Sequence, residues 1–296
     1  MNKSQEMVTI AIHTGKEEYA PLLQNLLKSF LLSNKYPNIE LMLVESGSEE
    51  KVRGWLEDLD FDSNFVNFDG TATNIKKAPG VSIKKTLLFN NFDSDFPWGL
   101  CYMQSLKDSI EKASGEFFVY LAEDNQMTVS GDIISDYIHL INTSGRDKTI
   151  VHFCAQQGYK YKKENNRFGD AICVDKILAY QPFNTKWCPF SLIHRDALHR
   201  IGDIPLPDDE DIHKSINVPS QRCRDMGFVR YYPAVPAGVW LPNSTRQSFI
   251  DLIARKTDEN PDYVMIPIFE KDTVKKSAES MKRPISTDDF LRSINE

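Results

Sequence analysis

The first half of the chain alternates short apolar runs with helical stripes, and this alternation limits the fold more than any other feature. Val8 to His13 reads as a strand, and Tyr19 to Leu32 as a helix carrying Leu22, Leu23, Leu26, Leu27, Phe30 and Leu31 on one stripe. Ile39 to Val44 reads as a second strand, and Glu49 to Leu59 as a helix opened by Ser46-Gly47-Ser48. Trp98 to Ala113 is a helix stopped at Ser114-Gly115, where glycine supplies a left-handed cap. An apolar run follows at Phe117 to Ala122, then a helix from Gly131 to Ile141 and a strand from Thr149 to Ala155. Strands separated by helices are βαβ units, which predict a largely parallel sheet covered on both faces. Phe65 to Phe68 is expected to be a short third strand, and Gly70 to Phe96 a long irregular insert of the kind that often serves as a binding loop.

The order loosens beyond residue 155. Tyr159 to Arg167 is polar and basic, Ile172 to Tyr180 reads as a strand and Asp196 to Ile201 as a short helix. Asp208 to Met226 has an acidic start and a Val218-Pro219 interruption within a helical pattern, and Phe228 to Tyr232 is a further strand. From Thr245 the sequence is amphipathic and charged. We therefore divide the chain into a sheet domain over 1–244 and a helical extension over 245–296, whose apolar positions offer cover for the sheet, a homo-oligomer contact or a hold on a membrane surface, cover being the plainer reading.

At 296 residues and 41% hydrophobic, the chain can bury a full core. A formal charge of −7 argues against a nucleic-acid partner, whose binding is driven by neutralising phosphates. No run approaches the roughly 18 apolar residues of a membrane span, and the start lacks a signal-peptide pattern, so a soluble, cytoplasmic protein is expected. The five cysteines have no C-x-x-C pair and the six histidines no metal-binding spacing, which speaks against a structural or catalytic zinc.

Chemistry is suggested where the run Phe117 to Ala122 ends in Glu123-Asp124. Ligands of open α/β sheets bind beyond the carboxyl ends of the strands, and carboxylates there can hold a divalent cation against a phosphate. The competing reading is a turn or a helix start, which acids also favour.

Four segments, in order, resemble the GT-A glycosyltransferases, most closely the inverting family 2 group: Val8-Thr-Ile-Ala-Ile-His-Thr14, Glu40-Leu-Met-Leu-Val-Glu-Ser-Gly-Ser48, Glu111-Lys-Ala-Ser-Gly-Glu-Phe-Phe-Val-Tyr-Leu-Ala-Glu-Asp124 and Phe190-Ser-Leu-Ile-His-Arg-Asp-Ala-Leu-His-Arg-Ile-Gly202. The likeness spans about residues 7 to 242 and implies an α/β GT-A fold, with a mostly parallel sheet between helices and a C-terminal helical extension. It departs from the family twice. Ala122 stands at the first acid of the DxD motif, and no histidine follows Tyr232-Pro233, where the family often has a metal ligand.

The resemblance implies a sugar transfer from a nucleoside-diphosphate sugar to a hydroxyl of a saccharide or other carrier, with inversion. It assigns Thr14 and Glu45 to the nucleoside, and Glu123 and Asp124 to the diphosphate; the other readings are that Thr14 caps the following helix and that Glu45 is a turn acid at a helix start. Asp124 would be the ligand of Mn²⁺ or Mg²⁺ unless basic residues replace the metal. Asp211, with Glu210 and Asp209 behind it, would be the general base. Lys76, Lys77, Lys84 and Lys85 either supply positive charge to the phosphates or form a solvated face, and Arg222 and Arg224 either reach the diphosphate or make surface ion pairs. Among Trp98, Tyr180, Phe183, Trp187, Phe190 and Trp240, Trp187 is the first choice for a sugar-stacking ring, though aromatics more often belong to a core. Two other functions remain open at this point: a transferase-like binding or assembly protein without activity, for which the departures speak, and a nucleotidyltransferase, for which the loop after the first strand has too few glycines.

Overall fold

The computed structural model describes residues 5–47, 49–92, 97–127, 131–156, 168–175, 177–182, 187–207, 212–233, 236–241 and 243–266. Its center is a sheet whose first strands, β1 (Val8–Thr14), β2 (Asn38–Glu45), β3 (Ser82–Phe89) and β4 (Phe117–Ala122), run parallel in the order β3-β2-β1-β4. The three-residue β5 (Asn125–Met127), then β6 (Thr149–His152) and β7 (Cys154–Gln156), follow in sequence. A hairpin comes next, β8 (Phe168–Val174) with β9 (Ile177–Pro182), and then β10 (Ser191–His194), β11 (Val229–Pro233) and β12 (Gly238–Trp240). Among the described residues nine strands form the main sheet, continuing from β4 through β10, β6, β11, β9 and β8. Antiparallel β10 is inserted between β4 and β6, so that β6 and β11 again run with β4. A small second sheet, β5-β12-β7, leaves the main one at the carboxyl end of β4.

The strand residues alternate between two cores, as the period of two requires. Phe117, Val119 and Leu121 of β4 join Ile10 and Ile12 in one. Phe118, Tyr120 and Ala122 join Ala11, Met42 and Val44 in the other. The first core is roofed by α1 (Ala20–Ser33), α2 (Glu50–Asp58) and α4 (Ile133–Ser144). The second lies under α3 (Trp98–Lys112), α5 (Arg195–Ile201) and α6 (Ile212–Asp225). A last helix, α7 (Asn243–Glu259), packs Phe249, Ile250, Leu252 and Ile253 against Leu22 of α1 and buries Met265 beyond it. Asn25 clasps that end, accepting from Met265 N and donating to Met265 O, both at 2.7 Å.

Two sequence expectations are corrected here. Phe65 to Phe68 is no sheet strand: it makes a single bridge, Val66 to Ala72, and its phenylalanines pack against Trp55. The place beside β2 belongs to β3, inside the segment expected to be an irregular insert. Its two lysines hid it from a search for apolar alternation, yet lysine is what an edge strand uses to discourage further pairing.

Those two lysines are engaged within the chain. Thr9, Glu40 and Lys84 stand opposite one another across β1, β2 and β3. The fully buried Glu40 accepts from Thr9 Oγ1 at 2.6 Å, Lys84 Nζ at 2.8 Å, Thr86 Oγ1 at 2.9 Å and Ser114 N at 2.7 Å. Lys85 donates to the carbonyls of Leu56, Glu57 and Leu59, where a cation offsets the negative end of α2. Lys77 pairs with Asp62, and Lys76 is exposed.

Burial pushes the Glu40 carboxyl up, but the bonds from Lys84, Thr9 and Ser114 outweigh it and bring it down from 4.5 to about 2. A depressed carboxylate stabilises the fold above its unfolded value, and that contribution fades as pH falls through the folded one. Glu40→Gln is therefore expected to cost on the order of 2 kcal/mol at neutral pH, discounted for the half-exposed Lys84. Urea unfolding of both proteins checks this, with the difference shrinking between pH 4.5 and about 2.

Candidate functional site at the carboxyl end of β4

The acid pair sits where the two sheets part. β4 ends at Ala122, and the Asn125 side chain closes the turn by accepting from Ala122 N at 2.8 Å. Gln126 fixes the turn from below: its amide donates to Glu123 O at 2.9 Å and to Leu22 O of α1 at 3.2 Å, and its carbonyl accepts from Asn25 at 2.6 Å. Pairing of β5 with β12 sets Trp240 opposite Asn125, which brings the indole Nε1 within 2.8 Å of Asp124 Oδ2. The first turn of α7 follows closely and delivers Arg246, whose Nη2 donates to the same oxygen. The guanidinium lies 5.3 Å from the center of the Tyr19 ring, at the entry to α1.

Both acids are buried, Glu123 at 7% exposure and Asp124 at 2%. Asp124 Oδ1 has no hydrogen-bond partner. Burial and then the adjacent Asp124 push the Glu123 carboxyl up to about 8. Burial also raises Asp124, against the opposing pull of Arg246 and the Trp240 hydrogen bond. The pair thus resists carrying two negative charges unless more positive charge arrives.

Neighbouring strands shape the floor. Glu123 N donates to His13 O at 3.1 Å, tying β4 to β1, and His13 Nε2 meets Ser46 Oγ at 2.6 Å, tying β1 to the loop after β2. Burial lowers His13 to about 4, so its ring is neutral at physiological pH. Tyr102 of α3 meets the His13 ring edge-on at 5.3 Å, and Trp98, a residue 55% exposed, stacks on Tyr102 at 5.3 Å. The Tyr102 hydroxyl is buried without a partner, and both acids raise its pKa after burial itself.

Thr14 ends β1, buried, with its hydroxyl unpartnered. Glu45 ends β2 beside it, and its carboxylate is engaged within the chain: Oε1 accepts from Gly47 N at 2.6 Å, and Oε2 from Arg53 Nε at 2.5 Å. Asp209, Glu210 and Asp211 lie outside the described residues, as do Ser48 and Phe183.

Of the remaining candidates, Trp187 is a core residue at 3% exposure, so the choice of it as a stacking ring is corrected; the exposed ring of this neighbourhood is Trp98. Arg222 donates to Ile201 O at 3.0 Å and Asp203 O at 2.5 Å, capping α5, and Arg224 donates to Gln221 Oε1 at 2.6 Å. Arg246 and Tyr102 escaped sequence reasoning. A Trp-x-x-x-Tyr spacing on α3 could have pointed to Tyr102, whereas Arg246 is 122 residues from Asp124 and only the fold joins them.

The described residues fit Mn²⁺ or Mg²⁺ poorly. Such ions take several oxygen ligands, and here one Asp124 oxygen has no hydrogen bond while a guanidinium holds the other. Among the described residues no three His, Cys, Asp or Glu side chains converge on a cation. A depression of about 400 Å³ lies at the other end of β4, lined by residues including Lys107, Phe118, Arg195 and His199, away from these acids. Among the described residues no helix is long and apolar enough to cross a membrane.

No family model matches the sequence, and no curated protein matches it either. Among solved structures the chain is similar to the mannosyltransferase PcManGT from Pyrobaculum calidifontis in complex with GDP-Man and Mn²⁺, at 16% identity and a TM-score of 0.51, over 87% of this chain and 66% of that one. It is also similar to S. aureus TarS 1-349 in complex with UDP, at 12% identity and a TM-score of 0.49, over 84% and 65%. The chain thus spans a little under two thirds of the length of either. With the parallel β3-β2-β1-β4 order, the inserted antiparallel β10 and the acids after β4, the chain has a GT-A-like glycosyltransferase fold.

Proposed function

We propose that this protein is a glycosyltransferase that moves a sugar from a nucleoside-diphosphate sugar to a hydroxyl of a saccharide or other carrier, with inversion. The observation that carries this reading is the buried Glu123-Asp124 pair at the carboxyl end of β4, within a GT-A-like fold. In that architecture the nucleoside lies over the ends of β1 and β2, beside Thr14 and the loop that Glu45 and Arg53 hold, and the diphosphate lies at the end of β4. The tight mutual contact of the loops after β1 and β2 supports a rigid floor for the base.

Transfer requires the anomeric carbon to lose its bond to the diphosphate, which leaves with the electron pair, while the acceptor oxygen forms a bond from the opposite face. A carboxylate takes the acceptor proton. Asp211, Glu210 and Asp209 are the proposed source of that base, a contribution typically of about 10²–10⁴ in rate. No covalent enzyme intermediate forms. Trp98, exposed over Tyr102, is the ring proposed to meet the donor or acceptor.

A thermal-shift screen of nucleoside diphosphates and their sugars, with Mn²⁺, Mg²⁺ or EDTA, tests the reading, because a ligand selective for the folded state raises its melting temperature. A shift for one base, followed by release of that nucleoside diphosphate when an acceptor is added, is the expected result. A shift without turnover across an acceptor panel supports instead the inactive binding protein, for which Ala122 at the first acid position speaks. No shift with any nucleotide overturns the donor reading.

A further inference from the structure

The contact between Arg246 and Asp124 gives the site a positive charge of its own. A divalent ion needs carboxylate oxygens with uncompensated charge, and it cannot approach a guanidinium without repulsion. Here Arg246 is bound to Asp124 Oδ2, its side chain 22% exposed against 4% for Asp124. The guanidinium therefore sits between the buried acids and solvent. Tyr19 supports it from the other side.

Three observations make this a built feature rather than a surface ion pair. Arg246 lies in the first turn of a helix whose apolar face is fixed on α1 by Phe249, Ile250 and Ile253. Asp124 receives the Trp240 indole on the same oxygen, which sets the carboxylate plane. Asn125 and Gln126 pin the backbone on which Asp124 stands. Every group that positions the guanidinium is itself positioned. Arginine also presents a planar fork of N–H donors that matches phosphate oxygens in pairs, which lysine does not.

We propose that Arg246 is the resident cation of this site, held by Asp124 and Tyr19, and that it takes up the charge of the departing diphosphate in place of a divalent metal. Asp124 is then a positioning residue for Arg246 rather than a metal ligand. The proposal rests on the donor reading above, and it places the leaving-group charge on a side chain that reaches the site from the C-terminal helix.

The test is isothermal titration of the full chain, treated with EDTA, with UDP, GDP, ADP, CDP and dTDP and with the nucleoside that matches each. For whichever base binds, the wild type is expected to hold the diphosphate equally well, within about two-fold, in EDTA and in Mn²⁺. Arg246→Ala is expected to weaken the diphosphate by about 30-fold or more, a loss of a charge-assisted contact, and to leave the nucleoside within about two-fold. Arg246→Lys, which keeps the charge but not the fork, should fall between them, and it carries the test if Arg246→Ala does not fold. Wild-type binding that disappears in EDTA and returns with Mn²⁺ overturns the proposal while leaving the donor reading intact. So does an Arg246 variant, folded by its thermal melt, that binds the diphosphate like the wild type. Absence of binding by the wild type in both conditions removes the donor reading itself, and the proposal with it.

Discussion

Asp124→Ala is expected to reduce sugar transfer by about 10²–10³, the range seen when one preorganised electrostatic contact to a developing charge is removed. The loss has two physical parts. The substitution releases Arg246 from its carboxylate partner and takes the acceptor from the Trp240 indole, so the guanidinium is no longer aimed at one place. It also leaves a partly buried cation without its counter-ion, which costs on the order of 1–3 kcal/mol of stability. Asp124→Asn separates the two, because it keeps an acceptor for the indole while removing the charge. The asparagine variant should melt closer to the wild type than the alanine variant while transferring nearly as poorly. Initial rates with the nucleotide-sugar found by the thermal screen, measured beside melting curves, check both statements.

Gly47→Ala is expected to be the most damaging glycine-to-alanine substitution among the described residues. A Cβ at Gly47 would stand 1.5 Å from Gly15 O and 2.5 Å from Gly15 C, both backbone atoms that no rotamer change can move. The loops after β1 and β2 must then separate. Their separation strains Ser46 N on Thr14 O at 3.1 Å and Gly47 N on Glu45 Oε1 at 2.6 Å. Overpacking of this kind typically costs about 1–3 kcal/mol, and direct backbone overlap puts this case at the upper end. Nucleoside affinity should fall with it, since these two loops form the proposed floor for the base. Gly15→Ala is the control: its Cβ would lie 3.7 Å from Ser46 Oγ, an ordinary contact, so a small effect is expected.

Much of this architecture was legible in the sequence because burial on both faces leaves a plain signal. β4 is a continuous apolar run and β1 and β2 are mostly apolar, and the sequence pattern locates each within a residue or two. β3 was not legible, since an edge strand half open to solvent carries Lys84 and Lys85 where a central strand carries valine or leucine. The hairpin of β8 and β9 was read as one strand because Asp175, at a φ of 46°, makes its turn without the glycine that usually marks one. For the site, the acids announced themselves by ending an apolar run. Their partners did not, because Trp240 and Arg246 reach Asp124 through the pairing of β5 with β12 and the start of α7, a juxtaposition with no local spacing. Of the lysines of 76–85, Lys77, Lys84 and Lys85 are close in sequence yet dispersed by the fold onto Asp62, Glu40 and the end of α2, and Lys76 is exposed, so none of the four signals the acid pair.

The most direct test of the central claim is a crystal structure of the protein with the nucleoside diphosphate that raises its melting temperature. The base is expected over the ends of β1 and β2 near Thr14, and the diphosphate at the end of β4 within hydrogen-bond distance of Arg246. A diphosphate bound elsewhere, for example in the depression lined by Lys107, Arg195 and His199 at the other end of β4, would contradict it.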